Sequence, residues 1–324
     1  MTLETFAQKI RTFQESRLLL TALELDLFTA VGSGAGAEDI AEKLGTHPRA
    51  TRMLLNALVA AGALEKSEEV FRNTEELAPY LVAGSKEYAR PGMLHIANLW
   101  HTWSTLTEAV RAGTAVSRPG VEAHDPEWTR AFIDAMHQIA SRQAPAVVAA
   151  AGPEPVLRML DVGGGSGAYS IAFAQAHPDL HGVVFDIAEV TPVAARHIAE
   201  AGLSERIGTR NGDLTTDDLG EGFDLVLLSA ICHMLDEDGN RGLLRRCFAA
   251  TAPGGRLVIR DFILNEDRTS PKEAAMFALN MLVGTLAGST YSDREYLQWL
   301  KEAGYKRIER PEGAGDLIVA WRAR

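Results

Sequence analysis

Cysteine is scarce: Cys232 and Cys247 are the only two in 324 residues. Their spacing fits no metal motif and two thiols build no disulfide framework, so a reducing, cytoplasmic setting is expected. Long apolar runs are missing too. No window approaches the roughly 20 apolar residues of a membrane span. Thr2–Arg17 carries scattered charges where a signal peptide would carry an apolar stretch, so neither a leader nor a membrane partner is expected. Basic charge is short: 32 Lys and Arg face 43 Asp and Glu, a formal net charge of −11. That argues against a nucleic-acid partner, because phosphate needs a basic surface. Carboxylates are not clustered in the manner of a magnesium site, so no metal is expected. Repeats and low-complexity segments are absent. What remains is an ordinary globular composition, 46% hydrophobic and 23% charged, long enough for one large domain or two smaller ones.

Residues 1–95 read as short helices followed by a hairpin. Leu18–Phe28 is densely apolar, Ala37–Leu44 and Arg49–Ala61 form two further helices, and Gly62 stops the last. Ala63–Glu65 and Val70–Asn73 predict two short strands around a Lys66–Glu69 turn. This is a winged-helix order, which in many proteins reads DNA. Here eight acidic residues outnumber five basic ones between Glu38 and Glu76, and the nominal recognition helix is apolar on most faces (Met53, Leu54, Leu55, Ala57, Leu58, Val59). A helix of that kind is buried, so the region is expected to pack and dimerise. Residues 96–152 are helical, with Trp128, Phe132 and Met136 at i, i+4 and i+8 on one face; Trp100 and Trp103 are expected to be structural. Gly152–Pro155 punctuates a boundary. Residues 153–324 alternate strand and helix, with strands at Val156–Asp161, Gly182–Asp186, Ile207–Gly212, Phe223–Ser229 and Arg256–Asp261. Two more fall near Lys306–Glu309 and Leu317–Trp321. Such alternation gives an α/β fold with a doubly wound, Rossmann-like parallel sheet.

The richest stretch is Leu160–Ser170, LDVGGGSGAYS. An apolar strand meets a glycine turn and then a helix N-terminus, whose free N–H groups suit an anion. Gly163, Gly165 and Ala168 satisfy the dinucleotide pattern G-x-G-x-x-G/A, with Asp186 about 20 residues on. Other features favour S-adenosyl-L-methionine. Asp161, two residues before the first glycine, can accept an ammonium. Asp186 can accept both ribose hydroxyls or cap a helix. Asp213, in Asn211-Gly-Asp-Leu214, stands where an adenine amino group needs an acceptor, or else caps a turn. Pro253-Gly-Gly255 turns into the fifth strand or simply stops a helix.

Taken together, the helical N-terminus, the Trp-rich helices, DVGGGSG, Phe185-Asp186, Gly212-Asp-Leu214, His233 after the fourth strand and Pro253-Gly-Gly255 carry a resemblance. The chain resembles the class I O-methyltransferases of the caffeate, flavonoid and hydroxyindole type, over essentially its full length. The resemblance implies a sheet that binds S-adenosyl-L-methionine and yields S-adenosyl-L-homocysteine, after an N-terminal dimerisation domain that makes a homodimer. It implies domains at 1–95, 96–152 (a connector contributing to the pocket) and 153–324. Asp161, Gly163, Gly165, Asp186, Asp213, Leu214 and Ser229 are then expected at the cofactor. Met136, Phe132, Met281, Thr285 and Thr290 are expected at a small aromatic acceptor, with Asn280 and Trp128 beside them.

His233 matches the family's general base, and Asp261 the acid that orients it. A phenol, with a pKa of about 10, holds its proton at neutral pH, and a histidine near 6.5 can accept it during attack. Met234 and Leu235 follow His233 where relatives carry a polar residue and an aromatic, and Thr290 stands where relatives place a second acid. These departures leave other chemistry on the same cofactor open: methylation at carbon or nitrogen, decarboxylation or hydroxylation. A ligand-sensing winged-helix regulator is the remaining alternative.

Overall fold

Asp26 breaks the apolar run of Leu18–Phe28, because its backbone is left-handed (φ 54°). Helix α2 (Phe13–Glu24) stops before it, α3 (Leu27–Val31) starts after it, and α1 (Leu3–Arg11) precedes both. The structure, a computed structural model, describes residues 1–85, 87–117, 126–314 and 316–324. The side chain of Trp128 lies outside the described part. The chain divides into two compact units, Met1–His101 and Thr102–Arg324.

In the first unit, β1 (Ala35–Gly36), α4 (Ala37–Leu44), α5 (Pro48–Ala60), β2 (Leu64–Ser67), β3 (Val70–Asn73), α6 (Ala78–Leu81) and the start of α7 (Arg90–Trp103) follow. The strands pair antiparallel in the order β1-β3-β2. Leu27, Phe28, Ile40, Leu55, Leu58 and Phe71 form the core. Helix α5 is less enclosed than its composition suggests. It buries one face, through Thr51, Leu55 and Leu58, and leaves Met53 exposed. Its Arg52 pairs with Glu38 at 2.6 Å and also with Glu69. Helix α1 buries nothing, and Leu3, Phe6, Ile10 and Phe13 stay exposed.

The second unit opens with α8 (Leu106–Ala112) and α9 (Pro126–Ala150). Alternation then proceeds through β4 (Arg158–Val162), α10 (Ala168–Ala176), β5 (His181–Asp186), α11 (Thr191–Glu200), β6 (Ile207–Asn211), β7 (Phe223–Ser229), α12 (Glu237–Ala250) and β8 (Thr251–Arg260). The rest comprises β9 (Ile263–Leu264), α13 (Lys272–Gly284), β10 (Tyr291–Ser292), α14 (Asp293–Ala303), β11 (Arg307–Glu309) and β12 (Leu317–Trp321). Seven of these strands form one sheet, ordered β11-β12-β8-β7-β4-β5-β6. Neighbours from β8 to β6 run parallel, while β12 and β11 are antiparallel. This is the α/β architecture that the strand and helix alternation predicts, behind a mostly helical N-terminal unit.

The unit boundary falls inside α7, well before Gly152–Pro155. The reason is packing: Ala144, Val147 and Ala151, at the end of α9 and just after it, are buried with Met159, Leu225 and Val258 of the sheet. Pro253-Gly-Gly255 also departs from a simple turn. It lies inside β8, where the register against β7 slips between Phe223 and Leu225. A Cβ on Gly255 would meet three backbone carbonyls, those of Phe223, Ala252 and Asp224, at 2.9–3.0 Å. Only glycine lets the strands close up there.

Candidate functional site

The order of strands switches between β4 and β7, with β5 and β6 laid down on one side of β4 and β7 and β8 on the other, all parallel. Open α/β sheets take ligands in the crevice outside the carboxyl ends of the strands at such a switch. β4 carries Asp161 and leads into the turn Gly163–Gly167. β5 ends on Asp186, β6 leads to Asp213 and Leu214, β7 ends on Ser229 and leads to His233, and β8 leads to Asp261.

The glycine turn is closed on two sides and open on one. A Cβ on Gly163 (φ 66°) would meet Ile231 Cδ1 at 2.2 Å, and one on Gly164 would meet Asp161 Cγ at 2.7 Å. A Cβ on Gly165 would meet nothing within 4 Å. The N–H of Gly165 donates to Asp186 Oδ2 at 2.8 Å, and that of Ile187 donates to Asp186 Oδ1 at 2.8 Å. The turn and the tip of β5 are therefore one rigid piece. Burial pushes the Asp186 acid up, against those two hydrogen bonds.

Asp161 lies under the turn rather than on its open face, with 0% exposure. Its Oδ2 accepts the Ser170 hydroxyl at 2.8 Å, while Oδ1 is buried without a partner. Burial pushes this acid up to about 7, with Asp186 adding to the rise and the Ser170 hydrogen bond opposing it. A carboxylate with an unmatched buried oxygen beside an open glycine turn fits a ligand that brings a positive group to the turn. Asp213 is exposed, and its Oδ1 accepts from the backbone N–H and the hydroxyl of Thr215 at 2.7 and 2.6 Å, so it caps a turn. Those bonds hold its acid low. Leu214 packs on the core, and its carbonyl accepts from Arg246 at 2.6 Å. Ser229 is half-buried in register with Arg260.

His233 sits in a 3₁₀ turn, Cys232–Met234, reached through Ala230, which has a left-handed backbone (φ 58°). A non-glycine residue in that region is rare and carries backbone strain. His233 is 7% exposed and Asp261 3% exposed. Nδ1 of His233 lies 2.7 Å from Asp261 Oδ1, and the backbone N–H of His233 donates to Asp261 Oδ2 at 3.2 Å. Asp261 Oδ1 also accepts the N–H of Phe262 at 2.7 Å, which fixes the carboxylate in turn. A carboxylate on Nδ1 holds the hydrogen there, so Nε2 carries the lone pair. The edges of Phe277 and Phe262 meet the imidazole at 4.8 and 6.0 Å between centroids, and those two rings stack on each other at 3.8 Å.

The acceptor candidates divide. Met281 is buried on α13, in the same helix as Phe277. Thr285 caps that helix, giving its hydroxyl to the Met281 carbonyl at 2.7 Å and accepting the Gly288 N–H at 2.9 Å. Thr290 is 1% exposed and donates to the Ala274 carbonyl at 3.1 Å, so its hydroxyl serves α13. Met136 and Phe132 are half-buried on α9, and Phe132 packs with Ile187, Val190 and Val193. Asn280 accepts the indole N–H of Trp103 at 2.9 Å, which gives Trp103 its structural place. Residues that sequence reasoning missed are Phe262 and Phe277, which frame His233, and Gly288 with Ser289, whose N–H donates to the His233 carbonyl at 3.0 Å. Phe262 is signalled only by its adjacency to Asp261, Gly288 and Ser289 by their place just before Thr290, and Phe277 by standing one helical turn before Met281. Among the described residues no His, Cys, Asp or Glu group is placed to hold a metal, and no described helix is long and apolar enough to cross a membrane.

Residues 103–306 match the family described as the O-methyltransferase domain, and residues 8–83 match the O-methyltransferase dimerisation domain. The chain is 37% identical to 3-hydroxy-5-methyl-1-naphthoate 3-O-methyltransferase of Streptomyces sahachiroi, over 95% of this chain and 92% of that one. It is 30% identical to the tetracenomycin polyketide synthesis 8-O-methyl transferase TcmO of Streptomyces glaucescens, over 97% and 94%. Among solved structures, that of PigF with SAH superposes with a TM-score of 0.90 at 25% identity, covering all of both chains.

Proposed function

The chain belongs to the O-methyltransferase family with an N-terminal dimerisation domain, and from that premise we propose that it methylates a phenolic hydroxyl of a small polyketide-type aromatic, with His233 as general base. It is an S-adenosyl-L-methionine-dependent O-methyltransferase, and the dimerisation-domain match supports a homodimer. The observation that carries the reading is the buried His233–Asp261 pair at the tips of β7 and β8, with Nε2 left as the accepting nitrogen. The two Streptomyces relatives, whose names place the methyl on oxygen of a hydroxynaphthoate and of a polyketide, support the acceptor class.

The cofactor, when bound, supplies an electrophilic methyl on a sulfonium. In this reading Gly163–Gly167 presents its open face to the amino-acid end, and Asp161 favours the ammonium from beneath the turn. Asp186 takes the ribose, and Asp213, Leu214 and Ser229 border the base. The acceptor lies against Met136, Phe132, Met281 and Thr285, and Thr290 braces α13 behind them. His233 Nε2 takes the phenol proton as the oxygen attacks, and Asp261 stabilises the imidazolium that forms. Phe262 and Phe277 keep water from that ring. General-base help supplies about 10²- to 10⁴-fold, and positioning supplies more, about 7–11 kcal/mol.

Labelled methyl transfer to a panel of hydroxynaphthoates and their amino analogues tests the reading. Label on the ring hydroxyl is expected; label on nitrogen or carbon alone would overturn it. Asp161 adds a pH-dependent test. Its folded-state acid is raised to about 7 from 3.8, so its contribution to stability is full below 3.8 and is lost as pH rises through about 7. An ammonium brought to the turn favours the ionised form, so binding near pH 7 should release part of a proton. Titration of S-adenosylhomocysteine, which carries that ammonium, in buffers of different ionisation enthalpy measures the release. Buffer-independent heat, or an unchanged release in Asp161→Asn, would remove the ammonium assignment.

A further inference from the structure

We propose that His137 is a positioning residue that holds the glycine turn in its cofactor-ready shape through Ser166, an inference that rests on the turn being the cofactor's seat. His137 follows Met136 on α9, and its Nδ1 lies 3.0 Å from the hydroxyl of Ser166. Ser166 is the one side chain within Gly163–Gly167 and is 6% exposed. The His137 ring stacks face to face on His197 of α11, with centroids 3.8 Å apart and planes 5° from parallel. His197 is itself fixed: Nε2 lies 2.8 Å from Asp134 Oδ1 and Nδ1 lies 3.5 Å from Glu200. Asp134 also pairs with Arg196. Asp134 and His137 are one turn apart on α9, as are Arg196 or His197 and Glu200 on α11, so two helices are cross-braced and the brace has a link onto the turn.

The brace has a chemical consequence. Burial, then the neighbouring His197, pushes His137 down to about 4, so the ring is neutral at ordinary pH and can exchange a single well-oriented hydrogen bond with a hydroxyl. The Ser166 rotor is thereby fixed, and with it the peptide planes of Gly165 and Gly167 on either side. The same α9 carries Met136 and Phe132, so one helix registers the acceptor wall against the cofactor turn. An apolar residue at 137 would leave the turn tethered from the β5 side, through Asp186 and the Phe185 carbonyl, without the α9 link to Ser166.

Calorimetry with S-adenosylhomocysteine tests the link at neutral pH, with thermal melts confirming that each variant folds. His137→Ala and His137→Phe should each weaken binding about fivefold to tenfold, the loss of one oriented hydrogen bond. The phenyl ring keeps the stack on His197 and still fails, which separates stacking from bonding. His137→Asn, whose amide reaches the place of Nδ1, should restore affinity to within twofold. In a Ser166→Ala background, His137→Ala should change nothing further. Unchanged affinity in Ala and Phe, an Asn variant as weak as Ala, or independent losses in the double variant would each overturn the link while leaving the cofactor reading intact. A wild type that gives no binding signal would bring down the cofactor reading and this inference with it.

Discussion

His233→Ala should lower turnover about 10²- to 10⁴-fold while leaving S-adenosylhomocysteine affinity within about twofold of wild type. The expectation follows from what the ring touches. Its Nδ1 is taken by Asp261, and Phe262 and Phe277 pack against the ring, so in the proposed mechanism the remaining nitrogen, Nε2, is the one that accepts the proton. The glycine turn and Asp186 owe none of their hydrogen bonds to it. Removing the ring therefore takes away a proton acceptor and leaves the cofactor's seat. Single-turnover rates with a saturating phenolic acceptor, beside calorimetry of the same variant, make the measurement. A variant that turns over at the wild-type rate would show that the phenol loses its proton elsewhere. A variant that also loses the cofactor would place His233 in binding. The His233→Ala rate should rise with pH toward the phenol's own pKa of about 10, because the unassisted reaction needs phenolate. That slope separates loss of a base from general damage.

Much of this was legible because a few residues constrain backbone and charge together. Strand and helix alternate on a period that hydrophobic runs reveal, so the sheet strands of Phe185, Leu228 and Val319 could be located from composition alone. The glycine turn was legible for the same kind of reason. Gly163 and Gly165 need positive φ, and a tight turn after an apolar strand has few other readings. Pairings across long loops were not legible. Nothing in the chain announces that Trp103 will donate to Asn280, or that His137 will reach Ser166, because both contacts are set by how α9 and α13 lie on the sheet. Burial was misread where composition and geometry part. α5 has the content of a buried helix but sends Met53 outward, and Asp161, expected at the cofactor's ammonium, is fully buried against Gly164, a depth that its place before the glycines did not announce. In both cases the side chain's direction, fixed by neighbouring elements, decided the outcome over its type.

Gly288→Ala should lower turnover by about 10²-fold with the fold and cofactor affinity retained, although residue 288 carries no chemistry. A Cβ there would stand 2.5 Å from the carbonyl oxygen of His233 and 3.2 Å from the carbonyl carbon of Met234. Those are backbone atoms of the turn that carries the ring, so a rotamer change cannot relieve the contact. Thr285 Oγ1 would stand 2.7 Å away as well, and it already accepts the Gly288 N–H. The 3₁₀ turn must then shift, and it is held to the same loop by the N–H of Ser289. A displacement near 1 Å at a reacting group costs about 10²-fold in rate. The neighbouring Gly284 supplies the control, since a Cβ there meets nothing within 4 Å and Gly284→Ala should leave the rate unchanged. Equal rates for the two alanine variants would show that the loop yields instead of the Cys232–Met234 turn, and would release His233 from the geometric control argued for it.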